Sequence, residues 1–353
     1  MKTAVDLYCG SGAVSLGLKQ AGFNVVGAID FDPTACATYR ANHPEVKLVE
    51  RDIRKVPPRA FRRLLRTPSV DLLVVCAPCQ PFSNRNQRKS ALDIRALLVL
   101  ESLKFIETLN PEMVFFENVP NLGRSSVFNE LATRLEQLGF YLSTPKSVDA
   151  ADLGVPQRRE RMILVGARRE ALLANVRHAH RAQRQSVFDA IGDLPTPPIG
   201  TPVEGGDLLH FARQHSPLNI ERLQHIPHDG GSRASLPDHL QLSCHRKLVG
   251  KSNSFPDTYG RMKWHDVAPT LTTGCTDITK GRYAHPVQNR AITLREAARL
   301  QSFPDNYIFK GNNAQIATQI GNAVPPGMMA VIANSLFEAL TSEKPTSIAP
   351  ENG

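Results

Sequence analysis

Cysteine is scarce. The 353 residues carry six, at positions 9, 36, 76, 79, 244 and 275, scattered without the spacing of a disulfide framework, so free thiols in a reducing compartment are expected. Long apolar runs are missing too: no stretch approaches the roughly 18 residues that a membrane span needs. The first residues, "MKTAVDLYCGSG", enter a strand-like run without the basic segment and apolar region of a leader. Membrane insertion and secretion are therefore not expected, and a cytoplasmic location is. No second ligand pair accompanies Cys76 and Cys79, and neither Cys244 with His245 nor any other cysteine supplies one, so no metal site is expected. The dinucleotide fingerprint GxGxxG also fails, because position 15 is Ser.

Positive charge is present in excess. Lys and Arg number 42 against 33 Asp and Glu, a net +9, and the surplus clusters in "RDIRKVPPRAFRRLLR" (51–66) and "QRRERMILVGARR" (157–169). Such clusters suit a polyanionic partner, and they equally suit a solvated basic surface. A hydrophobic content of 41% with 21% charged residues is that of a soluble globular protein. The length suggests two domains, or one large domain with an inserted lobe.

Along the first 170 residues short β-rich runs alternate with helical patterns. "AVDLYCG", "NVVGAID", "VKLVERDI", "VDLLVVCAP" and "MVFFENV" read as strands; "AVSLGLKQAGF" and the segment 91–112, which stops at Pro111, read as helices. The pattern predicts an α/β fold with a doubly wound, mostly parallel sheet covered on both faces, which binds ligands at the carboxyl ends of its strands. From about 186 to 290 the chain is rich in Pro, Gly, His and polar residues with weak periodicity, as in an irregular lobe. Helical order returns where Thr293 and Glu296 have capping-box spacing, and in a last helix over 328–340. A polar tail from about 343, expected to be mobile, closes the chain.

Three strand ends carry ligand-binding residue types. Gly10 and Gly12 sit where the first strand turns into the first helix, so the backbone there can approach a ligand closely. Asp30 ends the second strand and Asp52 the third, places from which a carboxylate accepts bonds from ribose hydroxyls. An adenosine-type cofactor fits this set. The fourth strand ends in "VVCAPCQPFS", where Cys76 lies in the apolar run and Cys79 follows Pro78, so Cys79 is the one placed to face a cleft. A redox dithiol needs both sulfurs reachable and opening a helix, whereas here Pro81 and a polar segment follow. A nucleophile remains, with Glu117 and Asn118 of "FFENV" and the arginines of "QRRER" as partners.

The ordered set "DLYCGSGAVSLGLKQAGF", "APCQPFS", "FFENV", "VPQRRERMILVGAR", "APTLTTG" with "TLREAARLQSFPD", and "QIGNAVPP" resembles the DNA cytosine-5 methyltransferase family over nearly the whole chain. Ser11 and Ala13 replace the family's usual Ala and Gly, and Ala96 a frequent Gly; none of these removes a chemical group. The resemblance implies the S-adenosylmethionine-dependent methyltransferase fold, S-adenosylmethionine as cofactor and double-stranded DNA as partner. It also implies the division of the chain: 1–185, a catalytic and cofactor-binding domain; 186–312, a smaller target-recognition lobe; 313–342, a segment returning to the catalytic domain; and 343–353, a flexible tail. It implies Cys79 as nucleophile on cytosine carbon 6, Glu117 at ring nitrogen 3, and Arg159 and Arg161 as the basic pair, Arg161 favoured for the base's carbonyl oxygen. Asp6, Tyr8, Gly10, Ser11, Gly12, Asp30, Phe31, Asp52, Ile53, Pro78 and Asn322 would hold the cofactor, and Gln80, Ser83, Asn118 and Gln157 the substrate. A bacterial, nucleoid-associated enzyme acting as a monomer on DNA is expected, and the resemblance leaves room for a companion restriction endonuclease. "CHRKLVGKSNSFPDTYGRMKWHD" in the lobe suits groove edges and phosphates, or else holds the lobe together. Three rivals stay open: an RNA cytosine-5 methyltransferase on the same scaffold, a thiol-disulfide oxidoreductase built on "CAPC", and a catalytically silent DNA-binding regulator.

Overall fold

The computed structural model describes residues 1–78, 94–176, 182–242 and 257–342, with backbone alone at 94–96. Eight strands form one sheet: β1 (Thr3–Leu7), β2 (Asn24–Asp30), β3 (Lys47–Glu50), β4 (Leu72–Val75), β5 (Met113–Asn118), β6 (Tyr141–Leu142), β7 (Lys146–Asp149) and β8 (Glu160–Ala167). Their order is β3-β2-β1-β4-β5-β8-β6, and β7 also pairs with β8. β1 to β5 are parallel to their neighbours, while β8 runs antiparallel to β5, β6 and β7. The expected doubly wound, mostly parallel sheet is therefore present. The order reverses between β1 and β4, which opens a crevice at their carboxyl ends.

The apolar runs explain the layering. In β4 and β5 every residue is buried, and side chains alternate between the two faces. Leu72, Val74, Met113 and Phe115 join one core; Leu73, Val75, Val114 and Phe116 join the other. Each such side chain contributes roughly 1.5–3 kcal/mol by leaving water. The first core is closed by the helices Ala13–Gln20 and Pro326–Thr341, which supply Val14, Leu18, Met329 and Ile332. A Cβ on Gly17 would lie 2.7 Å from the Met329 Cβ, so glycine is what lets these helices touch. The second core is closed by Phe61, Phe105 and Leu131 from three further helices.

Two sequence expectations change here. The segment 91–112 is not one α-helix: Ile94–Ser102 is a tighter 3₁₀ turn series, and only Leu103–Leu109 is α-helical. The Ser102 hydroxyl donates to the Val99 carbonyl at 2.6 Å at the junction, a local bond that competes with helix continuation. The C-terminal stretch Asn313–Thr341 does reach the length and apolarity of a membrane span, contrary to the hydropathy reading. It is mostly buried, and it forms two helices, Asn313–Asn322 and Pro326–Thr341, because Pro325 and Pro326 cannot donate the backbone bonds that would join them.

Beyond 186 the regular ladder gives out. Among the described residues this part holds short helices, Val187–Ile191, Pro217–Gln224 and Leu294–Leu300, and isolated bridges such as Ile199 with Ala212. Thr293 and Glu296 form the expected capping box, with Glu296 N–H donating to Thr293 Oγ1 at 3.1 Å and Thr293 N–H to Glu296 Oε2 at 2.7 Å. One apolar cluster gathers Val187, Met262, Leu271, Phe303 and Tyr307 with Ile316, Ile320 and Ala13, which spans the expected boundary at 312/313. A second gathers Leu223, Ile226, Tyr259 and Ile278. The expected tail, 343–353, lies outside the described residues.

Candidate active site

The crevice at the carboxyl ends of β1 to β5 is a cavity of about 1900 Å³. Its floor is the turn after β1, where Gly10 (φ 51°) and Gly12 (φ 96°) take left-handed conformations that favour glycine. A Cβ on Gly12 would lie 2.6 Å from the His43 ring, whereas one on Gly10 would meet nothing within 4 Å, leaving that side open to a ligand. Asp30, at the end of β2, grips the turn: its carboxylate accepts from Gly10 N–H at 2.8 Å and from the N–H groups of Phe31 and Asp32 at 2.8 and 2.9 Å. Burial raises this carboxyl's pKa, against those three bonds. Asp52, after β3, accepts from Arg54 N–H at 3.0 Å and from its guanidinium at 2.6 Å, and the arginine holds its pKa low. Phe31, next to Asp30, stands 66% exposed on the cavity wall, while Ile53 is buried.

The chemical end of the cavity lies beyond β4 and β5. Glu117, next to last in β5, forms an ion pair with Arg161, Oε1 to Nε 2.8 Å, and both line the cavity. Arg161 reaches it because β8 is antiparallel, so its first residues sit at the same edge as the last residues of β5. Arg159, two positions earlier, is 3% exposed and donates to the carbonyls of Leu271 and Gly321 at 3.2 and 3.3 Å. Burial and the nearby Arg161 push its pKa down to about 9. The Asn118 amide donates to the Ala77 carbonyl at 3.2 Å, tying β5 to the residue before Pro78. Cys76 is half-buried on the cavity wall, and burial with the Glu117 charge pushes its thiol well up. Cys79, Gln80 and Ser83 lie outside the described residues, the cysteine immediately after Pro78.

Tyr8, Gly10, Ser11, Asp30, Phe31, Asp52, Ile53, Pro78, Glu117, Asn118, Arg159, Arg161 and Asn322 all line this one cavity. Three expected site residues do not. Asp6 is fully buried behind the turn, accepting from Ser15 Oγ at 2.7 Å, and burial pushes its carboxyl up to about 7. Gly12 is covered by His43. Gln157 is fully buried: its amide donates to Gln301 Oε1 at 2.8 Å and its carbonyl accepts from Leu271 N–H at 2.9 Å. Gln157 and Arg159 thus bolt the segments "APTLTTG" and "QIGNAVPP" onto the stretch that leads into β8. Arg158, one of the arginines of "QRRER", also lines the cavity, as do Thr272 and Lys280, for which the sequence pointed to no role. The "APTLTTG" motif was the only signal pointing to Thr272.

The chain is similar to known proteins over nearly its whole length. The family model described as C-5 cytosine-specific DNA methylase matches residues 2–338. The Type II methylase M.HgiDII of Herpetosiphon aurantiacus is 38% identical over 341 residues, 94% of this chain and 94% of the relative. The Type II methyltransferase M1.HphI of Haemophilus parahaemolyticus is 31% identical, covering 97% of this chain and 88% of its own length. Among solved structures, a prophage-encoded E. coli chain superposes with a TM-score of 0.75 at 23% identity, covering 97% of this chain and all of its own. The Entamoeba histolytica methyltransferase EhMeth superposes with a TM-score of 0.67 at 18% identity, covering 97% and 99%. At these identities the structures speak for the fold alone.

Proposed function

The chain belongs to the C-5 cytosine-specific DNA methylase family and is a DNA cytosine-5 methyltransferase, and on that premise we propose a covalent route through Cys79 on a cytosine flipped out of a specific duplex site. The observation that carries the proposal is the Glu117–Arg161 pair in the wall of the cavity that is also lined by Pro78, the residue before Cys79. Cytosine carbon 5 is a poor nucleophile. Addition of the Cys79 thiolate to carbon 6 breaks the 5,6 double bond and makes carbon 5 enamine-like. Glu117 takes up a proton from solvent as the base displaces it from Arg161, and passes that proton to ring nitrogen 3, offsetting the charge that the thiolate brings. Arg161 is the arginine available to the base's carbonyl oxygen, since Arg159 is committed to the Leu271 and Gly321 carbonyls. Carbon 5 then takes the methyl group as the ring nitrogen 3 proton returns to Glu117, and transfer of the carbon 5 proton to water restores the 5,6 double bond and expels the Cys79 thiolate. The base reaches this pocket only outside the helix stack, at a cost of a few kcal/mol.

The cofactor in this reading is S-adenosylmethionine, which supplies the methyl group when bound. The residues fit it: the Gly10 turn has room for a close ligand, the exposed Phe31 ring offers a stacking surface for a purine, and Asp30 ends β2 while Asp52 follows the adjacent β3, where ribose hydroxyls would sit. Target recognition belongs to the lobe 186–312 in the same reading. The enzyme acts as a monomer on DNA, in the bacterial cytoplasm at the nucleoid. The named relatives are Type II enzymes, which supports a companion restriction endonuclease.

The test uses duplex DNA carrying 5-fluorocytosine at the target. Methyl transfer then proceeds, but elimination has no proton to remove, so the protein stays attached. Protein plus oligonucleotide plus one methyl group is expected by mass in denaturing conditions, and none with Cys79→Ser. Wild-type protein that methylates ordinary DNA yet never forms this adduct would overturn the covalent route. Equal or better turnover of tRNA in a parallel assay would overturn the DNA assignment.

A further inference from the structure

The backbone turn that floors the cavity is held from behind by two side chains with no role in the chemistry above. The Tyr307 hydroxyl donates to the Ser11 carbonyl at 2.6 Å, across 296 positions of sequence. His43 Nε2 lies 3.0 Å from the Gly12 carbonyl, and its Nδ1 lies 2.7 Å from Lys19 Nζ. An ammonium can only donate, so Nδ1 is the acceptor and the ring proton sits on Nε2, directed at Gly12. Both rings are buried, and no room is left for any side chain at position 12: a Cβ there would lie 2.6 Å from the imidazole and 2.9 Å from the Tyr307 oxygen.

We infer that His43 and Tyr307 are positioning residues for the cofactor loop, fixing the peptide planes of Ser11 and Gly12 so that the turn presents a ready-made surface to S-adenosylmethionine. The inference rests on the cofactor reading given above. A peptide is planar, so a carbonyl held in one direction fixes the N–H on the other side of its plane. Gly12 N–H accordingly closes back on the Cys9 carbonyl at 2.9 Å, and on the cavity side Asp30 takes Gly10 N–H. The turn is therefore clamped on both faces, and ligand binding does not have to order it.

Tyr307 also carries information from the other half of the chain. It packs with Phe303 and Phe309 at ring-centroid separations of 4.9 and 5.3 Å, in the cluster that contains Val187, Met262 and Leu271. Its segment is stitched independently to the helix Pro33–Asn42: Ile308 N–H donates to Asn42 Oδ1 at 3.0 Å, Lys310 N–H to Thr38 Oγ1 at 2.9 Å, and Gln315 Nε2 to Thr34 Oγ1 at 3.2 Å. These bonds survive removal of the tyrosine hydroxyl, so Tyr307→Phe retains the fold while releasing the loop.

The experiment measures steady-state methylation with each substrate varied in turn, together with S-adenosylhomocysteine binding by calorimetry and thermal midpoints, for wild type, Tyr307→Phe, His43→Ala and His43→Gln. Loss of one loop bond is expected to raise KM for S-adenosylmethionine roughly five- to tenfold in Tyr307→Phe and His43→Ala, with KM for DNA and kcat within twofold. His43→Gln should recover most of the loss, because its amide N–H can reach the Gly12 carbonyl as Nε2 does. Equal changes in both KM values, no change in either, or a lowered thermal midpoint with cofactor affinity intact would each overturn the inference. Wild-type protein that binds no S-adenosylhomocysteine would instead overturn the cofactor reading.

Discussion

The two ends of the molecule use arginine in opposite ways. In the sheet domain the backbone satisfies itself through ladders, so polar side chains at strand ends are left to pair with one another, as Glu117 and Arg161 do. In the lobe few ladders exist, and carbonyls without strand partners must find donors elsewhere. Arg261 supplies them: fully buried, it donates to the carbonyls of Leu223, Ile226, His285 and Gln288 at 2.8, 3.1, 3.0 and 2.7 Å, and to Asn289. Arg282 donates to the carbonyls of Gly230, Gly231 and Arg261, and Arg222 to that of Leu240. Trp264 packs edge-on against Phe188 and His285. Arg261 and Trp264, which the lobe's cationic texture offered for groove edges and phosphates, hold the lobe together instead. Net charge therefore overstates the cations available to DNA, and most where regular structure is least.

Breaking the strand-end side of this contrast should have the largest effect. Glu117→Gln is expected to lower kcat roughly a hundredfold or more, the loss of a proton donor, with DNA affinity and thermal midpoint nearly unchanged. Single-turnover kinetics beside a binding titration would check it, and a parallel fall in affinity would place Glu117 in docking. On the lobe side, Arg261→Ala should cost about 3 kcal/mol or more of stability by leaving buried acceptors unpaired, read as a denaturant midpoint. Arg261→Lys should not rescue it, because a point ammonium cannot span five acceptors. Full stability in either variant would collapse the distinction between the two regions.

The smallest expected effect is a pH dependence. Burial and Arg290 push His285 down to about 4, so between roughly pH 6.5 and 4 the unfolded chain binds a proton that the folded one refuses. Stability from this group is complete above the unfolded value and lost as pH falls, about 1–2 kcal/mol between pH 7 and 5. Asp6 acts with the opposite sign, since a carboxyl raised to about 7 favours the folded state as pH falls. The difference between wild type and His285→Asn isolates the histidine: the variant keeps an acceptor for the Val287 and Gln288 N–H groups and should lose less stability between pH 7 and 5. Equal losses would show that His285 does not titrate in that window.

Much of the fold was legible. The run Asn24–Asp30 is a strand over its full predicted length, and the capping box at Thr293 forms as its spacing implies, because both depend on neighbours within a few residues. The antiparallel β8 was not read from "QRRERMILVGA", since alternation marks a strand but not its direction. Asp6 looked like a ligand residue because it shares a motif with Gly10, yet side chains alternate along β1, and its own turns to Ser15 behind the sheet. Ser15, which spoils the dinucleotide fingerprint, bonds both Asp6 and the Tyr39 hydroxyl at 2.7 Å.

By itself the sequence determined the strand and helix periodicity, the glycine turn, the carboxylates at strand ends and the order of motifs that marks the family, because these are encoded in local spacing. Only tertiary structure decided which charged groups are free to act. Arg159 and Arg161 are two residues apart, one just before β8 and one within it, and the first is committed to carbonyls 112 and 162 positions away while the second meets Glu117. A buried donor goes to whichever unpaired acceptor the folded chain brings within about 3 Å, and that acceptor's address is set by the packing of distant segments.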